Sequence, residues 1–474
     1  MAVKKYVQHA KFDGRLLMVG CGSIGQAMLP LLLRHLEMAP AQISVIAADD
    51  KGEAIAREYG VAYELCPLTR DNFHTVLDSR LQRGDFLLNL SVDVASLALI
   101  TLCHARGALY LDTCIEPWVG TYTDPALSAS QRSNYALREA VLAFGRAHPG
   151  SPTAVLTQGA NPGLASAFVK QALLNLAADA GLPPARSADQ MDWAQLAQRL
   201  GVRVIHIAER DTQLTPRRKA KDEFVNTWSV DGFMAEGRQP AELGWGTHER
   251  HWPADAARHG YGSDAAIYLN RPGAATRVRS WTPLEGPYHG FLITHGEAIS
   301  IADHLTVKDG DAVRYRPTVH YAYYPCDDAV LSLHEAAGHH WQLQPHQHIL
   351  REEITQGMDE LGVLLMGHAR GAYWYGSRLS IRQARRLLPH NSATSLQVVA
   401  GVLAGMVWAL RHPQAGVVEP EDLDHELVLA IAGPYLGELT GVYGDWTPLK
   451  DRSALFPEPM DRDDPWQFLN FRVT

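Results

Sequence analysis

Residues 16–26 read LLMVGCGSIGQ, an apolar run that enters a glycine triplet, Gly20, Gly22 and Gly25, in the spacing G-x-G-x-x-G. The residues that follow, AMLPLLLRHL (27–36), have helix composition, and Pro30 is expected to bend a helix that begins near Ser23. A glycine triplet alone is weak evidence; between a strand and a helix it is the fingerprint of a dinucleotide-binding turn. The first glycine permits the tight turn, the second lets the backbone approach a pyrophosphate, and the third packs helix on strand. The pyrophosphate then rests on free N–H groups at the helix N-terminus. The expected cofactor turn is therefore Gly20, Gly22, Ser23, Ile24 and Gly25. An acid about 20 residues further on holds the adenosine ribose in such sites. The candidates are Asp49 and Asp50, 24 and 25 residues beyond Gly25 at the end of ISVIAADD (43–50), with Ala47 where a strand-end acid is expected. An acid without a neighbouring arginine favours NAD over NADP.

Outward from this turn, FLLNLSV (86–92), ALYLDTCI (108–115) and TAVLTQG (153–159) alternate with helical stretches. Strands alternating with helices imply an α/β fold, a Rossmann-type doubly wound parallel sheet. Beyond it VRVIHIAERDT (202–212), FVNTWSVDGF (224–233), RVRSW (277–281), GFLITHGEAISI (290–301) and GVLLMGH (362–368) read as strands of a second, mixed α+β domain. SATSLQVVAGVLAGMVWAL (392–410) reads as one long helix whose Gly401 and Gly405 permit close packing. The expected organisation is an NAD-binding domain over residues 1–155, an α+β substrate and dimerisation domain over 156–390, and a C-terminal helical segment, 391–474, returning to the first domain.

The chain has 474 residues, 46% apolar and 20% charged, with 43 basic against 52 acidic side chains and a net charge of −9. This excludes a disordered or collagen-like chain. It also makes a poor non-specific binder of nucleic acid or anionic membrane. The five cysteines, Cys21, Cys66, Cys103, Cys114 and Cys326, are widely spaced and suggest neither a disulfide framework nor a thiolate metal site. The N-terminus reads as a first strand and not as a signal peptide. The longest apolar run, Val398 to Leu410, is short for a bilayer and is expected as a buried helix. A cytoplasmic protein is expected.

Carboxylates recur at the ends of the strand-like pieces: Asp93, Glu116, Glu209, Asp211, Glu236 and Glu297. Ligands gather at the carboxyl ends of strands in open α/β sheets, so Asp93 and Glu116 are candidates for the cofactor crevice. Singly such acids are usually caps or solvated charges; together they suit a polyamine. Trp228 reads first as core, although an indole face can also hold a cation. HEAAGHH (334–340) lacks the histidine at 338 that a zinc-protease helix needs, so no metal site is expected. His295 stands two residues before Glu297, which on a strand would face both to one side.

Several longer segments carry a family resemblance: GCGSIG (20–25), NLSVD (89–93), YLDTCIEPW (110–118), RSNYALRE (132–139), GANPG (159–163), HIAERDTQ (206–213) and PAELGWGT (240–247). It continues through GAATRVR (273–279), GFLITHGEAISIAD (290–303), HYAYYPCDDAVLSLHE (320–335), AYWYGSRLS (372–380) and DPWQF (464–468). With these, essentially the whole chain resembles the bacterial homospermidine synthases, a branch of the saccharopine dehydrogenase-like superfamily. The resemblance implies NAD as a recycled cofactor. One putrescine (or spermidine) is oxidised to an imine, a second putrescine condenses with it and ammonia (or diaminopropane) leaves. The Schiff base is then reduced by the same NADH to homospermidine. It further implies that Trp228 holds cationic intermediates and that Glu209, Glu236 and His295 are catalytic. Glu116, Asp93, Asn161 and Glu297 would line the substrate cavity, Ser91 and Thr113 with Asp93 and Asn161 would approach the cofactor, and the protein would be a homodimer. AADD (47–50) departs from the family pattern of a strand-end aspartate. The nearest alternative is a reductive condensing enzyme of the carboxynorspermidine or saccharopine type, consuming NAD(P)H and needing an arginine such as Arg210, Arg277 or Arg279 for a substrate carboxylate. A non-catalytic NAD-binding sensor is a third, more distant reading.

Overall fold

The computed structural model describes residues 6–183, 189–452 and 458–473. The strand Leu16–Val19 is buried along its whole length, enters the turn at Gly20 and is followed by the helix Ser23–His35, which carries Pro30. Leu16–Val19 pairs in parallel with Ile43–Ala47 on one side and Phe86–Asn89 on the other. Seven parallel strands form this sheet, in the order Val417–Val418, Ala154–Val155, Leu109–Asp112, Phe86–Asn89, Leu16–Val19, Ile43–Ala47 and Ala62–Leu65. Near-continuous apolar strands such as FLLN and LYLD are what a parallel sheet covered on both faces requires. Strand order reverses at Leu16–Val19, which opens a crevice above its carboxyl end.

The second sheet has ten strands. Val204–Asp211 lies at its centre, parallel to Thr318–Tyr324 and antiparallel to Met358–Met366. Its period of two divides the environment. Val204 and Ala208 pack with Leu364, Met366, Trp374 and Phe471 on one face. Ile205 and Ile207, with Tyr321, Tyr323, Leu361 and Val363 of the neighbouring strands, belong to a larger core that runs unbroken into the first sheet. Glu209 and Asp211 fall on this second face, which is turned toward the crevice.

Two expected strands end early. FVNTWSVDGF is a strand only over Glu223–Asn226; the Ser229 hydroxyl then accepts from the Gly232 N–H at 3.0 Å and caps the helix Val230–Arg238. A serine N-cap with Asp231 in the first turn is a helix start, and it overrides the β-branched residues before it. GFLITHGEAISI likewise stops being a strand at Phe291, and His295 is the N-cap of the helix Gly296–His304. Residues 391–474 also divide. The helix Ala393–Arg411 packs on Ser23–His35 and Leu109–Asp112, while Glu438–Gly444, read as helical, is a strand beside Ala372–Ser380 in the second sheet. Its sequence, ELTGVYG, with two glycines and β-branched residues, favours a strand.

The 19-residue helix Ala393–Arg411 is longer than the apolar run within it and is long and apolar enough to cross a bilayer, yet it is almost wholly buried inside the protein. It touches strands of both sheets. A Cβ on Gly401 would stand 1.9 Å from the Gly159 carbonyl oxygen, and one on Gly405 2.4 Å from Gln158 Cγ. The close packing expected of these glycines is therefore what seats the helix against the loop that carries Asn161.

Candidate active site

A cavity of about 430 Å³ lies between the carboxyl ends of the first sheet and the second face of the second sheet. At one end stands the glycine turn. Gly20 has φ +89°, and a Cβ there would lie 2.7 Å from the Leu90 carbonyl oxygen, so only glycine fits. Gly22 faces open space and N-caps the helix without a side chain, and no acid occupies the helix's first turn. Its first N–H groups are thus free to meet an anion. Gly25 lies behind the cavity, where a Cβ would stand 2.8 Å from the Gly20 carbonyl oxygen; it packs helix on strand and lines nothing.

Gly20, Gly22, Ser23, Ile24, Asp49, Ser91, Asp93, Thr113 and Asn161 all line the cavity; Asp50 does not and is exposed. Asp49 forms an ion pair with Lys51 at 3.0 Å. Arg351, which no sequence motif marks, reaches the turn from the second sheet's side of the crevice. Its Nη1 donates to Gln26 Oε1 at 2.8 Å, and Gln26 in turn donates to the carbonyls of Cys21 and Lys51. This end of the cavity gathers cationic and N–H groups.

The other end is acidic. Glu209 is buried, and its Oε2 accepts from Asn161 Nδ2 at 2.6 Å and from the Tyr321 hydroxyl. Burial outweighs these donors and pushes its carboxyl up to about 7. Glu116 follows the strand Leu109–Asp112; its N–H donates to Ser96 Oγ at 3.0 Å, and its buried Oε2 has no partner. Burial, with the charges of Asp93 and Glu236, raises its carboxyl to about 8. Asp93, at the cavity mouth with φ +62°, is raised by desolvation and by Asp231, a lining residue that sequence reasoning missed.

His295 lies between two carboxylates: Nε2 is 3.0 Å from Glu236 Oε2 and Nδ1 3.2 Å from Glu297 Oε1. Burial alone would strip its proton, but Glu297 and Glu236 together win and hold the ring well above the usual histidine range. Glu297 makes this pair from the first turn of a helix, not from a strand, and stands behind His295 without lining the cavity. Tyr321 packs against the His295 ring at a tilt, centroids 4.4 Å apart and planes 35° from parallel. It was missed too, although the alternation in HYAYY puts Tyr321 on the face of Tyr323.

Trp228 occupies the turn between strand and helix. Its Nε1 donates to the Tyr323 hydroxyl at 3.1 Å and its ring packs on Phe233 at 5.5 Å, fixing an indole in the cavity wall. Of the arginines considered for a carboxylated substrate, none lines the cavity. Arg210 pairs with Glu285 and Asp327, Arg279 with Glu458, and Arg277 lies over the Phe291 ring. Outside the cavity, Asp222, Glu335 and His339 approach one another, but Glu335 is already engaged by Lys219.

The arrangement therefore joins an anion-binding helix terminus to a pocket of carboxyls around an indole, the chemistry of a dinucleotide beside an organic cation. Residues 16–155 match the family described as saccharopine dehydrogenase NADP binding domain, and residues 159–445 match that described as saccharopine dehydrogenase C-terminal domain. The chain is 55% identical to a homospermidine synthase of Blastochloris viridis, with 98% of each chain covered. It is 50% identical to the homospermidine synthase of Mesorhizobium japonicum over 100% of this chain and 99% of that one. Among solved structures it is similar to the homospermidine synthase of Legionella pneumophila in complex with NAD, with a TM-score of 0.92 at 50% identity and 100% of both chains covered. With full-length identity of this order and the same fold, the chain belongs to the homospermidine synthase family.

Proposed function

We propose that this chain makes homospermidine from putrescine with NAD as a cofactor that stays bound and is restored in each cycle. The observation that carries this reading is the buried group of Glu116, Glu209 and Glu236 around Trp228, in one cavity with an uncapped helix N-terminus. Free N–H groups at Ser23 and Ile24, with Arg351 beside them, suit a pyrophosphate. Asp49, not Asp50, is the candidate for the adenosine ribose. Bound NAD supplies the capacity to take a hydride from one amine and return it to the condensed imine.

The protein's own task is to move protons and exclude water. Two amines enter as ammonium ions, and each must become neutral before its nitrogen can react. Glu209, titrating at about 7, takes a proton from the reacting ammonium. The indole face of Trp228 holds the cationic imine, a contact worth about 0.5–2 kcal/mol. His295, kept protonated by Glu236 and Glu297, returns a proton to the departing ammonia. Glu116 anchors the distal ammonium. The second ammonium sheds its proton to solvent as it enters, and ammonia regains one there. His295 recovers its proton from the condensing nitrogen and Glu209 gives its own to the secondary amine, so the site ends each cycle as it began. Enclosure keeps the imine from hydrolysis to an aldehyde. Among the described residues no arginine lines the acidic end of the cavity, which favours a diamine over a substrate bearing a carboxylate. The protein is further proposed to be a cytoplasmic homodimer.

The test is to incubate the protein with putrescine and substoichiometric NAD, following polyamines by mass spectrometry and the reduced cofactor by absorbance. Homospermidine and ammonia without accumulating NADH support the reading. NADH accumulating without homospermidine makes the protein a simple amine dehydrogenase, and the absence of any reaction sends attention to the NAD(P)H-consuming alternative.

A further inference from the structure

The strands Val204–Asp211 and Met358–Met366 run antiparallel, with Asp359 opposite Asp211 and Leu361 opposite Glu209. Directly opposed residues share a sheet face, and the period of two brings Glu209 to the same face as Asp211 and Asp359. One strand pair thus buries three carboxyls, Glu209, Asp211 and Asp359, at 2%, 0% and 0% exposure. No lysine or arginine among the described residues forms an ion pair with any of the three. Arg210, their neighbour in sequence, points to the other face and pairs with Glu285 and Asp327.

Three unpaired buried anions side by side are not sustainable, and a count of donors shows which one is relieved. Asp211 accepts from the Gln213 N–H at 2.8 Å, from Gln213 Nε2 at 3.0 Å and from the Thr227 hydroxyl at 2.7 Å. Glu209 accepts from Asn161 and Tyr321, both on Oε2. Asp359 has one donor, the Thr394 hydroxyl on Oδ2, and its Oδ1 has none. Asp359 Oδ1 is therefore the buried oxygen of this group left without a donor, and two neighbouring carboxyls can share a hydrogen bond only if one of them carries the proton.

We propose that Asp359 is a positioning residue that rests as a neutral acid and donates its proton in a hydrogen bond to Glu209, holding that carboxylate charged and aimed into the cavity. The remaining neighbours agree with this. Tyr321 and Tyr323 are held neutral by burial, the Ala393–Arg411 helix brings Thr394 to the Asp359 carboxyl and Gln397 to its backbone carbonyl, and the nearby cations favour the charged forms of the other two acids, His295 that of Glu209 and Arg210 that of Asp211. Burial and the charges of Glu209 and Asp211 push Asp359 well above the usual carboxylate range. When Glu209 takes a proton from the substrate ammonium, the pair holds two protons and no net charge. Giving one back restores the resting state, so no outside acid or base is needed. The inference rests on Glu209 being the base.

The experiment compares D359N and D359L in the full-length enzyme by the pH dependence of kcat/KM, with NAD affinity by fluorescence titration as a check on the fold. D359N keeps a neutral N–H donor, so kcat is expected within about threefold of wild type with the acid limb unmoved. D359L has no donor, so the limb is expected to move up by about one to two pH units, with kcat lower by about tenfold or more. A limb that moves down in D359N would mean that Asp359 rests as an anion; an unmoved limb in D359L would mean that it only fills space. Either result overturns the proposal. If D359L does not fold, the infrared difference between wild type and D359N decides: the carbonyl band of a protonated carboxylic acid should be lost in the variant, and its persistence overturns the proposal. This spectral test stands whether or not the wild-type enzyme forms homospermidine, so failure of the functional reading is distinguishable.

Discussion

Gly401→Ala isolates the packing that holds the site together. In an open helix this substitution stabilises by about 1 kcal/mol. Here the new Cβ would lie 1.9 Å from the Gly159 carbonyl oxygen and 2.6 Å from its carbon, against backbone that has no rotamer to yield. Contacts shorter than 3.0 Å are essentially never made by real Cβ atoms, so helix and loop must part by about 1 Å. Overpacking of this kind costs about 1–3 kcal/mol, more than the helix gain returns. The loop that moves carries Asn161, two residues on, whose amide orients Glu209 at 2.6 Å. A misplacement of about 1 Å at a reacting group costs about a hundredfold in rate. The expected variant is folded by circular dichroism, melts a few degrees below wild type and loses about two orders of magnitude in kcat/KM. Gly405→Ala is the comparison, because its new Cβ would meet side chains, the buried Gln158 at Cγ (2.4 Å) and Leu111 at Cδ1 (2.9 Å), and not the backbone that carries Asn161; its loss of kcat/KM should be smaller. Wild-type melting and turnover in the Gly401 variant would refute the packing argument.

Further predictions concern the chemistry and the core. Trp228→Ala should cut turnover by about 2–30-fold from the lost cation contact alone, with NAD affinity unchanged and Trp228→Phe intermediate; equilibrium titration and steady-state kinetics separate the two. Glu209→Gln should lower kcat by about 10²–10⁴-fold and abolish the acid limb expected of wild type from a carboxyl pushed up to about 7. Arg351→Ala should weaken NAD binding by about 10–100-fold with little change in kcat, read by calorimetry. His320 is buried and neutral, its ring held down to about 4 by desolvation. The unfolded chain binds that proton near pH 6.5 and the folded chain does not, so this ring's contribution is full above 6.5 and is lost as pH falls. Its loss between pH 6.5 and 5 is about 2 kcal/mol. The gap in melting temperature between wild type and His320→Phe should therefore narrow at pH 5.

How far the sequence could be read follows from the range of each signal. The glycine turn, the parallel sheet and Gly25's packing role are local: their geometry is dictated by residues within one βαβ unit. Trp228 and His295 were legible as residues but not as structure. Ser229 and His295 stop two apparent strands, and the caps are short signals that β-branched neighbours mask. Asp49 and Asp50 could not be told apart, because one residue along a loop decides which of them faces the cavity. Arg351 and Asp359 were invisible for a different reason. The first arrives from a loop 325 residues away from its partner Gln26. The second matters only because the register of two strands sets it opposite Asp211. Tyr321 lies between these cases, since its strand alternation was present to be read.

The central claim is that oxidation, condensation and reduction occur in one enclosed cavity on one bound cofactor. It is tested most directly with putrescine deuterated on both carbons next to nitrogen, supplied with excess unlabelled NADH. The account predicts homospermidine that retains every deuterium, because the label taken from the first amine is returned to the same molecule before the cofactor exchanges. Product lacking one deuterium at the new carbon–nitrogen bond would show reduction from the free pool and contradict it.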